Sequence, residues 1–387
     1  MSNRWHIPGR AAWDSLVRMK SARWFGTGDP ADSETTRARI ARGLVLTDHA
    51  PKFGFSADDT FFCIGSCFAK NLEEHLIYRD LRVLSKAVPF PSDHGRPNGI
   101  VNKYSAASIL NELRWSLDGA PCPEGTLVAD GDAWRDLQLA KRAPTLPLDT
   151  ARERRAQIRQ YFERVRRASV VVMTLGLVEV WHDRETDMLL NAAPTPWMTR
   201  RFPDRFSVVV TDYAQTVAAL EEIYAILNAV SGGAVKIVVT VSPVPMAETF
   251  TGRDVVVANA YSKSTLRAAA EDSARAHANV DYYPSYETIT VSNRTLAFNA
   301  EDEIHVLDSA VRAVANHFLA AYGLAGEARY PEFVELDYLY ANPDVHRAVL
   351  AQQFESGYQH WLAHGRAEGR ALRAEHRAPV VDRLLGG

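Results

Sequence analysis

The chain has 387 residues, 47% of them hydrophobic and 24% charged, which suffices for one large domain plus an appendage, or for two domains. The formal net charge of −3 argues against nucleic acid as a partner, because proteins that bind it usually carry a basic surplus. Three cysteines in so long a chain argue against a disulfide framework. With no signal-peptide core and no run of about 18 apolar residues, the chain is expected to be cytoplasmic and to lack a transmembrane segment.

Residues 1–55 mix aromatic and basic side chains, among them Trp5, Trp13 and Trp24. Such a mixture is compatible with contact to a membrane surface or to nucleic acid. The favoured interpretation is an N-terminal arm packed on the main domain, because tryptophan is highly buried on average.

Residues 56–325 alternate strand patterns with amphipathic helical patterns. "TFFCIG", "SVVVMTLG" and "VKIVVTVSP" are short apolar runs, typical of parallel strands buried on both faces. Strands that alternate with helices need crossover connections. The sequence therefore predicts an α/β fold of three layers, with a parallel central sheet between helices. In such sheets the reactive groups gather beyond the carboxyl ends of the strands.

The junction "FFCIGSCFAK" at 61–70 places Ser66 and Cys67 where the first strand ends and a helix begins. The unpaired N–H groups of a helix N-terminus favour chemistry at such a junction. Ser66 is either a helix N-cap, a role that serine commonly takes, or a nucleophile that needs a base. Cys67 is an alternative nucleophile, because a helix N-terminus lowers the pKa of a thiol.

A base is available in "FNAEDEIHVLDSAV" at 298–311, the loop that enters the last helix of this region. Asp302 and His305 are three residues apart and can face the same pocket. Aspartate can hold one imidazole nitrogen while the other nitrogen accepts a serine proton. The competing interpretation of His305 is a surface or capping histidine.

Four segments carry a resemblance to a known family: "GSCFA" at 65–69, "TLGLVEVW" at 174–181, "VVTVSPVP" at 238–245 and "YYPSYE" at 282–287. Together with the closing Asp-x-x-His, they resemble the GSCFA-domain family, which itself is similar to the SGNH, or GDSL-like, esterases and acyltransferases. The resemblance implies that Ser66 is the nucleophile, His305 the base and Asp302 the carboxylate that orients the base.

SGNH enzymes usually build the oxyanion hole from the serine N–H, a glycine N–H and an asparagine side chain. Their Gly-x-Asn-Asp block reads Gly-Leu-Val-Glu at 176–179 here, which keeps Gly176 but lacks the asparagine. Asn102 is the best candidate for the side-chain donor, and Gly99 is a weaker backbone candidate. Losing one such donor typically costs about 2.7–4 kcal/mol of transition-state stabilisation.

Glu179 and Trp181 are candidates for shaping the acyl or alcohol pocket, although core packing explains Trp181 equally well. Cys63 and Cys67 lack the further cysteines or histidines that a metal site needs, so no metal is expected. No phosphate-binding or dinucleotide-binding glycine motif follows a strand, so no cofactor is expected.

The sequence pattern of residues 330–387, helical and rich in aromatic residues, predicts a separate helical module. "DYLYANPDVHRAV" and "YQHWLAHGRAEGRAL" resemble short modules attached to bacterial glycan-assembly proteins, glycosyltransferases among them. The resemblance implies a link to polysaccharide or glycoconjugate biosynthesis, and association with glycan-assembly proteins. A packing or dimerising helical hairpin explains the aromatic positions at least as well.

These observations predict a serine esterase or O-acyltransferase that acts on acyl esters of a carbohydrate or glycoconjugate through an acyl-serine intermediate. O-acetyl esters are the first expectation, and the acyl donor stays open. The alternative is a catalytically weak or inactive glycan-binding or scaffold protein of polysaccharide biosynthesis, which the missing asparagine favours.

Overall fold

The computed structural model describes residues 6–26, 34–90 and 97–374 of the chain. Trp5 of the predicted arm and residues 375–387 of the predicted C-terminal module lie outside the described residues.

Strands and helices alternate through most of the described chain. The strands are β1 Thr60–Gly65, β2 Arg82–Val83, β3 Leu127–Asp130, β4 Ala133–Asp136, β5 Val170–Leu175, β6 Glu179–Asp183, β7 Met188–Leu190, β8 Phe206–Val210, β9 Lys236–Val241 and β10 Val280–Tyr282. The α-helices are α1 Gly9–Arg18, α2 Thr36–Arg42, α3 Cys67–Ile77, α4 Ala106–Leu117, α5 Leu148–Glu163, α6 Pro196–Arg201, α7 Tyr213–Ser231, α8 Val255–Ala276, α9 Ser285–Val291, α10 Arg294–Ala297, α11 Asp308–Ala321, α12 Glu335–Ala341, α13 Pro343–Leu350 and α14 Gly357–His360. Short 3₁₀ turns occupy Lys20–Ala22, Pro97–Val101, Glu124–Thr126 and Arg164–Arg167, and a π-helical turn occupies Trp361–Gly365.

The central sheet has the strand order β10-β9-β5-β1-β2, and each neighbouring pair is parallel. Gly65 at the end of β1 is in register with Thr174 of β5, and Thr174 is in register with Thr240 of β9. The carboxyl ends of these three strands therefore share one edge of the sheet. Ser66 follows β1 at this edge, and Ser242 follows β9.

Side chains alternate between the two faces of the sheet, and each face is covered by helices. Phe62 and Ile64 of β1 join the apolar core that contains α4, α5, α7 and α8. Phe61 and Cys63 join a second core on the opposite face, with α3 and α11. The predicted three-layer α/β fold with a parallel central sheet is thus confirmed.

Two smaller sheets lie outside the central one. β6 pairs antiparallel with both β7 and β8, and β3 pairs with β4 as a hairpin. Only three residues separate the end of β5 from the start of β6, so this sheet lies directly beyond the strand that ends beside Gly65.

The C-terminal helices pack through an aromatic cluster that includes Phe333, Tyr338 and Trp361, and this cluster also contains Tyr78 at the end of α3. At the other terminus, α1 has no buried residue, whereas Val45 and Phe55 are buried. The domain boundaries after residues 55 and 325 stay predictions. Within the described residues, no helix is both long and apolar enough to cross a membrane.

Candidate functional site

Ser66 occupies the N-cap position of α3, yet its side chain forms no capping hydrogen bond. The preceding Gly65 has φ +147°, and a Cβ there would lie 2.5 Å from the carbonyl oxygen of Thr174. Only glycine permits this close approach of the two strands. Ser66 is 5% exposed, and its hydroxyl donates to Oγ of Ser242, 3.3 Å away. The hydroxyl is therefore held at the sheet edge and is not used to cap the helix.

The His305 ring is fixed by Asp302. Nδ1 of His305 lies 2.6 Å from Oδ2 of Asp302, and Oδ1 accepts the backbone N–H groups of Ile304 and His305 at 2.9 and 3.0 Å. Burial acts to raise the pKa of Asp302, but these hydrogen bonds outweigh it and the pKa is lowered. An ionised carboxylate at Nδ1 keeps the hydrogen of the neutral ring on that nitrogen, which leaves Nε2 as the basic atom.

The loop that carries this pair is closed at its base by an antiparallel bridge between Phe298 and Val306. The backbone of His305 is held as well, because its carbonyl accepts the N–H of Asn299 at 2.8 Å. Glu303 takes a positive φ of +52° and directs its side chain to Arg294, away from the histidine. The local turn therefore presents Asp302 and His305 together.

The structure joins Asp302 to His305 and Ser66 to Ser242, but it does not join Ser66 to His305. Within the described part of the chain, Nε2 of His305 has no hydrogen-bond partner, and the Ser66 hydroxyl bonds to Ser242 alone. Sequence neighbours of Ser66, Ser242 and His305 nevertheless belong to one apolar cluster on the α3–α11 face of the sheet. These neighbours are Phe68, Val244 and Val306.

Gly176 does not offer a spare backbone donor. Its N–H donates to the carbonyl oxygen of Tyr104 at 3.0 Å, and a Cβ at this position would lie 2.7 Å from the same oxygen. The glycine that the SGNH resemblance offers for the oxyanion hole is thus required for close backbone packing, and its N–H is already engaged.

Asn102 lies beside Tyr104 under the same edge of the sheet. Burial raises the pKa of Tyr104 to about 12, and a hydrogen bond from the Asn102 side chain opposes that rise. Oδ1 of Asn102 is buried and has no hydrogen-bond partner among the described residues. Gly99 lies in the adjacent 3₁₀ turn, where its carbonyl accepts the N–H of Asn102 at 3.1 Å.

Glu179 and Trp181 both contact the loop that follows β9. The Glu179 carboxylate accepts the hydroxyl of Thr249 and the N–H of Phe250, each at 2.6 Å. The Trp181 ring packs edge-on against Phe250 with centroids 5.1 Å apart. These contacts assign both side chains to the support of that loop.

Cys67 is partly exposed at the start of α3. An interaction with the Cys67 side chain contributes to the raised pKa of Tyr104, so the thiol lies near that phenol. Cys63 is buried in β1, where desolvation raises the pKa of its thiol. The described residues contain no group of three or more histidine, cysteine, aspartate or glutamate side chains arranged to hold a metal ion.

Two polar residues at this edge were not predicted from the sequence. Ser242 follows a buried apolar strand as Ser66 does, so a search for polar residues at strand ends would have found it. Lys263 lies in α8 and donates from Nζ to the carbonyl oxygen of Gly176 at 2.7 Å. Nothing in "NAYSKSTLRAAA" distinguishes it from a lysine on the solvent face of a helix.

The fold and the site define an α/β protein with a buried serine at the edge of its central sheet and an aspartate–histidine pair in the loop before α11. A family model described as the GSCFA family matches residues 60–318, which is more than half of the chain and includes all three residues. The chain belongs to the GSCFA family. A search of curated proteins finds no match to it.

Proposed function

We propose that the chain is a serine esterase or O-acyltransferase that acts on acyl esters, O-acetyl esters first, of a carbohydrate or glycoconjugate. The observation that carries this proposal is the His305 ring, fixed by Asp302 through Nδ1 with Nε2 uncommitted. A buried serine hydroxyl that caps no helix lies after β1, in the same region of the fold. A base with an oriented ring and a hydroxyl nucleophile are the groups that acyl transfer through serine requires.

In the proposed reaction, Oγ of Ser66 bonds to the ester carbonyl carbon and its proton passes to Nε2 of His305. Asp302 stabilises the imidazolium that results. When the C–O bond to the alcohol breaks, His305 returns the proton to the departing oxygen and an acyl-Ser66 ester remains. Water or a sugar hydroxyl then attacks this ester with His305 as the base. The choice between the two depends on how well the pocket excludes water.

This reaction requires the Ser66 hydroxyl to exchange its bond to Ser242 for one to His305. Catalytic hydrogen bonds are often long or poorly aligned before substrate binds, and they tighten in the complex. The second candidate function is a glycan-binding or scaffold protein with weak or no turnover. The missing Ser66–His305 hydrogen bond and the engaged N–H of Gly176 favour this alternative.

A fluorophosphonate probe separates the two candidates, because it reacts with a serine that a base has activated. Wild-type protein should be labelled, Ser66→Ala should abolish the label, and the matched Cys67→Ala variant should keep it. Mass spectrometry of the adduct should locate the probe on Ser66. If the folded wild type stays unlabelled, the scaffold function is the better account. Iodoacetamide inactivation that persists in Ser66→Ala would instead make Cys67 the nucleophile.

The carbohydrate part of the proposal rests on the C-terminal resemblance to modules of glycan-assembly proteins. Acetate release from an O-acetylated polysaccharide, compared with release from p-nitrophenyl acetate, tests it directly. A clear preference for the polysaccharide supports the proposal, and activity on the small ester alone contradicts the proposed substrate class.

A further inference from the structure

Lys263 is a buried lysine that uses little of its hydrogen-bonding capacity. The residue is 1% exposed, and its Nζ donates to the carbonyl oxygen of Gly176. Within the described residues Nζ has no second hydrogen-bond partner and no carboxylate within 4.0 Å. An ammonium group has three donors. Buried charges are normally paired, so a lysine in this state requires an explanation.

The hydrogen bond of Lys263 places its amine just after the end of β5, the strand that pairs with β1. Gly176, which receives its hydrogen bond, comes two residues after Thr174, the register partner of Gly65. The N–H of Ser242 donates to the carbonyl oxygen of Leu175 at 2.7 Å, immediately before Gly176. The Cys67 side chain, next to Ser66 in the sequence, interacts with the Lys263 amine.

Lys263 also lies against the segment where the expected asparagine is missing. Val178 occupies the position of that asparagine, and its N–H donates to the hydroxyl of Ser262 at 3.0 Å. Adjacent residues of α8 thus hold the turn at 176–178 from both of its ends. The chain therefore places an amine with spare donors against the same turn.

We propose that Nζ of Lys263 binds the carbonyl oxygen of the substrate and stabilises the negative charge that forms there when Ser66 attacks. This inference rests on the proposed function and names the donor that its oxyanion hole lacks. As the Oγ–carbon bond forms, the electron pair of the C=O π bond moves to the oxygen and the serine proton moves to His305. When the intermediate collapses, the pair returns and the bond to the alcohol breaks.

The resting state of Lys263 favours this role. Burial lowers the pKa of Lys263 to about 7, and the interaction with Cys67 opposes the shift. A developing oxyanion supplies the counter-charge that the resting site lacks, so the interaction strengthens as the transition state is approached. Only interactions of this kind accelerate the chemical step.

The test compares Lys263→Met with the control Lys236→Met. Lys236 is the first residue of β9, at the end of that strand opposite to Ser242, and it pairs with Asp59 at 3.0 Å. The measurement is the second-order rate of fluorophosphonate labelling at Ser66, together with hydrolysis of p-nitrophenyl acetate and the melting temperature. Lys263→Met should lower both rates by about 100-fold to 1,000-fold, the usual effect of removing one oxyanion donor. Lys236→Met should stay within about threefold of wild type.

The possible outcomes separate this inference from the proposed function. If Ser66→Ala abolishes labelling but Lys263→Met reacts within threefold of wild type, the inference is overturned and the proposed function stands. If folded wild type is not labelled, both are overturned. Should Lys263→Met not fold, Lys263→Gln is judged by the same criterion. If neither variant folds, the amine is a structural requirement and the inference is wrong.

Discussion

Two lysines of this protein are buried almost equally, but their surroundings differ. Lys103 is 0% exposed and bonds to the carboxylate of Glu112 at 2.5 Å, and Glu112 also pairs with Arg155. Lys263 is 1% exposed and bonds only to the carbonyl oxygen of Gly176 among the described residues. The comparison separates a buried lysine whose charge is paired within the fold from a buried lysine with unused donors, which can bind a further group.

The pKa of Glu112 shows how the charges of the Lys103 cluster act on one another. Burial acts to raise the pKa of Glu112, but Arg155 and Lys103 outweigh it, so that the pKa is lowered and the carboxylate stays ionised. Arg155 also binds Asp136 at 3.0 Å, which connects α5 to the β3–β4 hairpin. Each charge in this cluster thus has an opposite charge beside it.

The largest expected effect comes from breaking the paired cluster. Glu112→Gln removes the charge shared by Lys103 and Arg155, and it should lower the free energy of unfolding by about 3–5 kcal/mol, as loss of one partner of a buried ion pair does. Urea denaturation at neutral pH measures the change. Glu222→Gln is the control, because Glu222 pairs with Arg114 at 2.5 Å with both side chains about 40% exposed. The control should lose less than about 1 kcal/mol.

If Glu112→Gln is as stable as Glu222→Gln, pairing does not determine the role of the buried lysine, and the comparison fails.

The next largest effect is expected for Asp302, the carboxylate that orients the proposed base His305. Asp302→Asn removes the carboxylate that fixes Nδ1 of His305, so the ring can take the wrong tautomer. Labelling of Ser66 should slow by about 100-fold, equivalent to about 2.7 kcal/mol. Glu303→Gln is the control, since Glu303 lies in the same loop but pairs with Arg294 at the surface. Equal labelling rates for the two variants would show that Asp302 only shapes the loop.

Lys263 should make the free energy of unfolding depend on pH. Burial lowers the pKa of Lys263 from the ordinary 10.5 to about 7. Between these values the unfolded chain binds a proton that the folded chain does not, so stability rises with pH across this window. Relative to Lys263→Met, wild type should gain about 2 kcal/mol of unfolding free energy between pH 7 and pH 9.

Urea denaturation of both proteins at several pH values measures this gain, because other titrating groups cancel in the difference. A Cys67→Ala background removes the thiol that interacts with the amine. If the difference in unfolding free energy between wild type and Lys263→Met stays constant from pH 7 to pH 9, the Lys263 amine keeps its ordinary pKa and a counter-charge is present.

The sequence allowed the central sheet to be predicted because its strands are apolar runs buried on both faces. "TFFCIG" and "SVVVMTLG" correspond to β1 and β5 almost residue for residue. The sheet of β6, β7 and β8 was not predicted. Its strands are short, and β6 reads "EVWHD", in which polar side chains interrupt the apolar pattern. Such strands depend on their neighbours more than on their own composition.

The same distinction applies to the candidate site. The bond between Asp302 and His305 spans three residues of one turn, so local spacing indicated it. The bond between Ser66 and Ser242 spans 176 residues, and that between Lys263 and Gly176 spans 87. Contacts of this length depend on strand order and helix placement, which no local pattern in a single sequence specifies. For this reason the sequence indicated the base and its partner more readily than the surroundings of the nucleophile.

The smallest effect is expected for Glu179, a carboxylate that follows β5 and has only neutral hydrogen-bond partners among the described residues. Glu179 accepts hydrogen bonds from Thr249 and Phe250, so Glu179→Gln should weaken the anchoring of that loop and cost about 1 kcal/mol of unfolding free energy. Labelling of Ser66 should stay within about threefold of wild type. Glu248→Gln is the control, because Glu248 lies in the same loop, next to Thr249, and forms an exposed pair with Lys141 at 2.5 Å. It should change stability by less than about 0.5 kcal/mol.

Glu179→Gln could instead leave stability unchanged and slow labelling more than tenfold. The Glu179 carboxylate would then act on the reacting groups. Both Glu179, an anion, and Lys263, a cation, would have to be assigned roles near the nucleophile. Unchanged labelling with the expected loss of stability would leave Lys263 as the charged group assigned to the oxyanion, and would place Glu179 with Glu112 among the carboxylates that serve the fold.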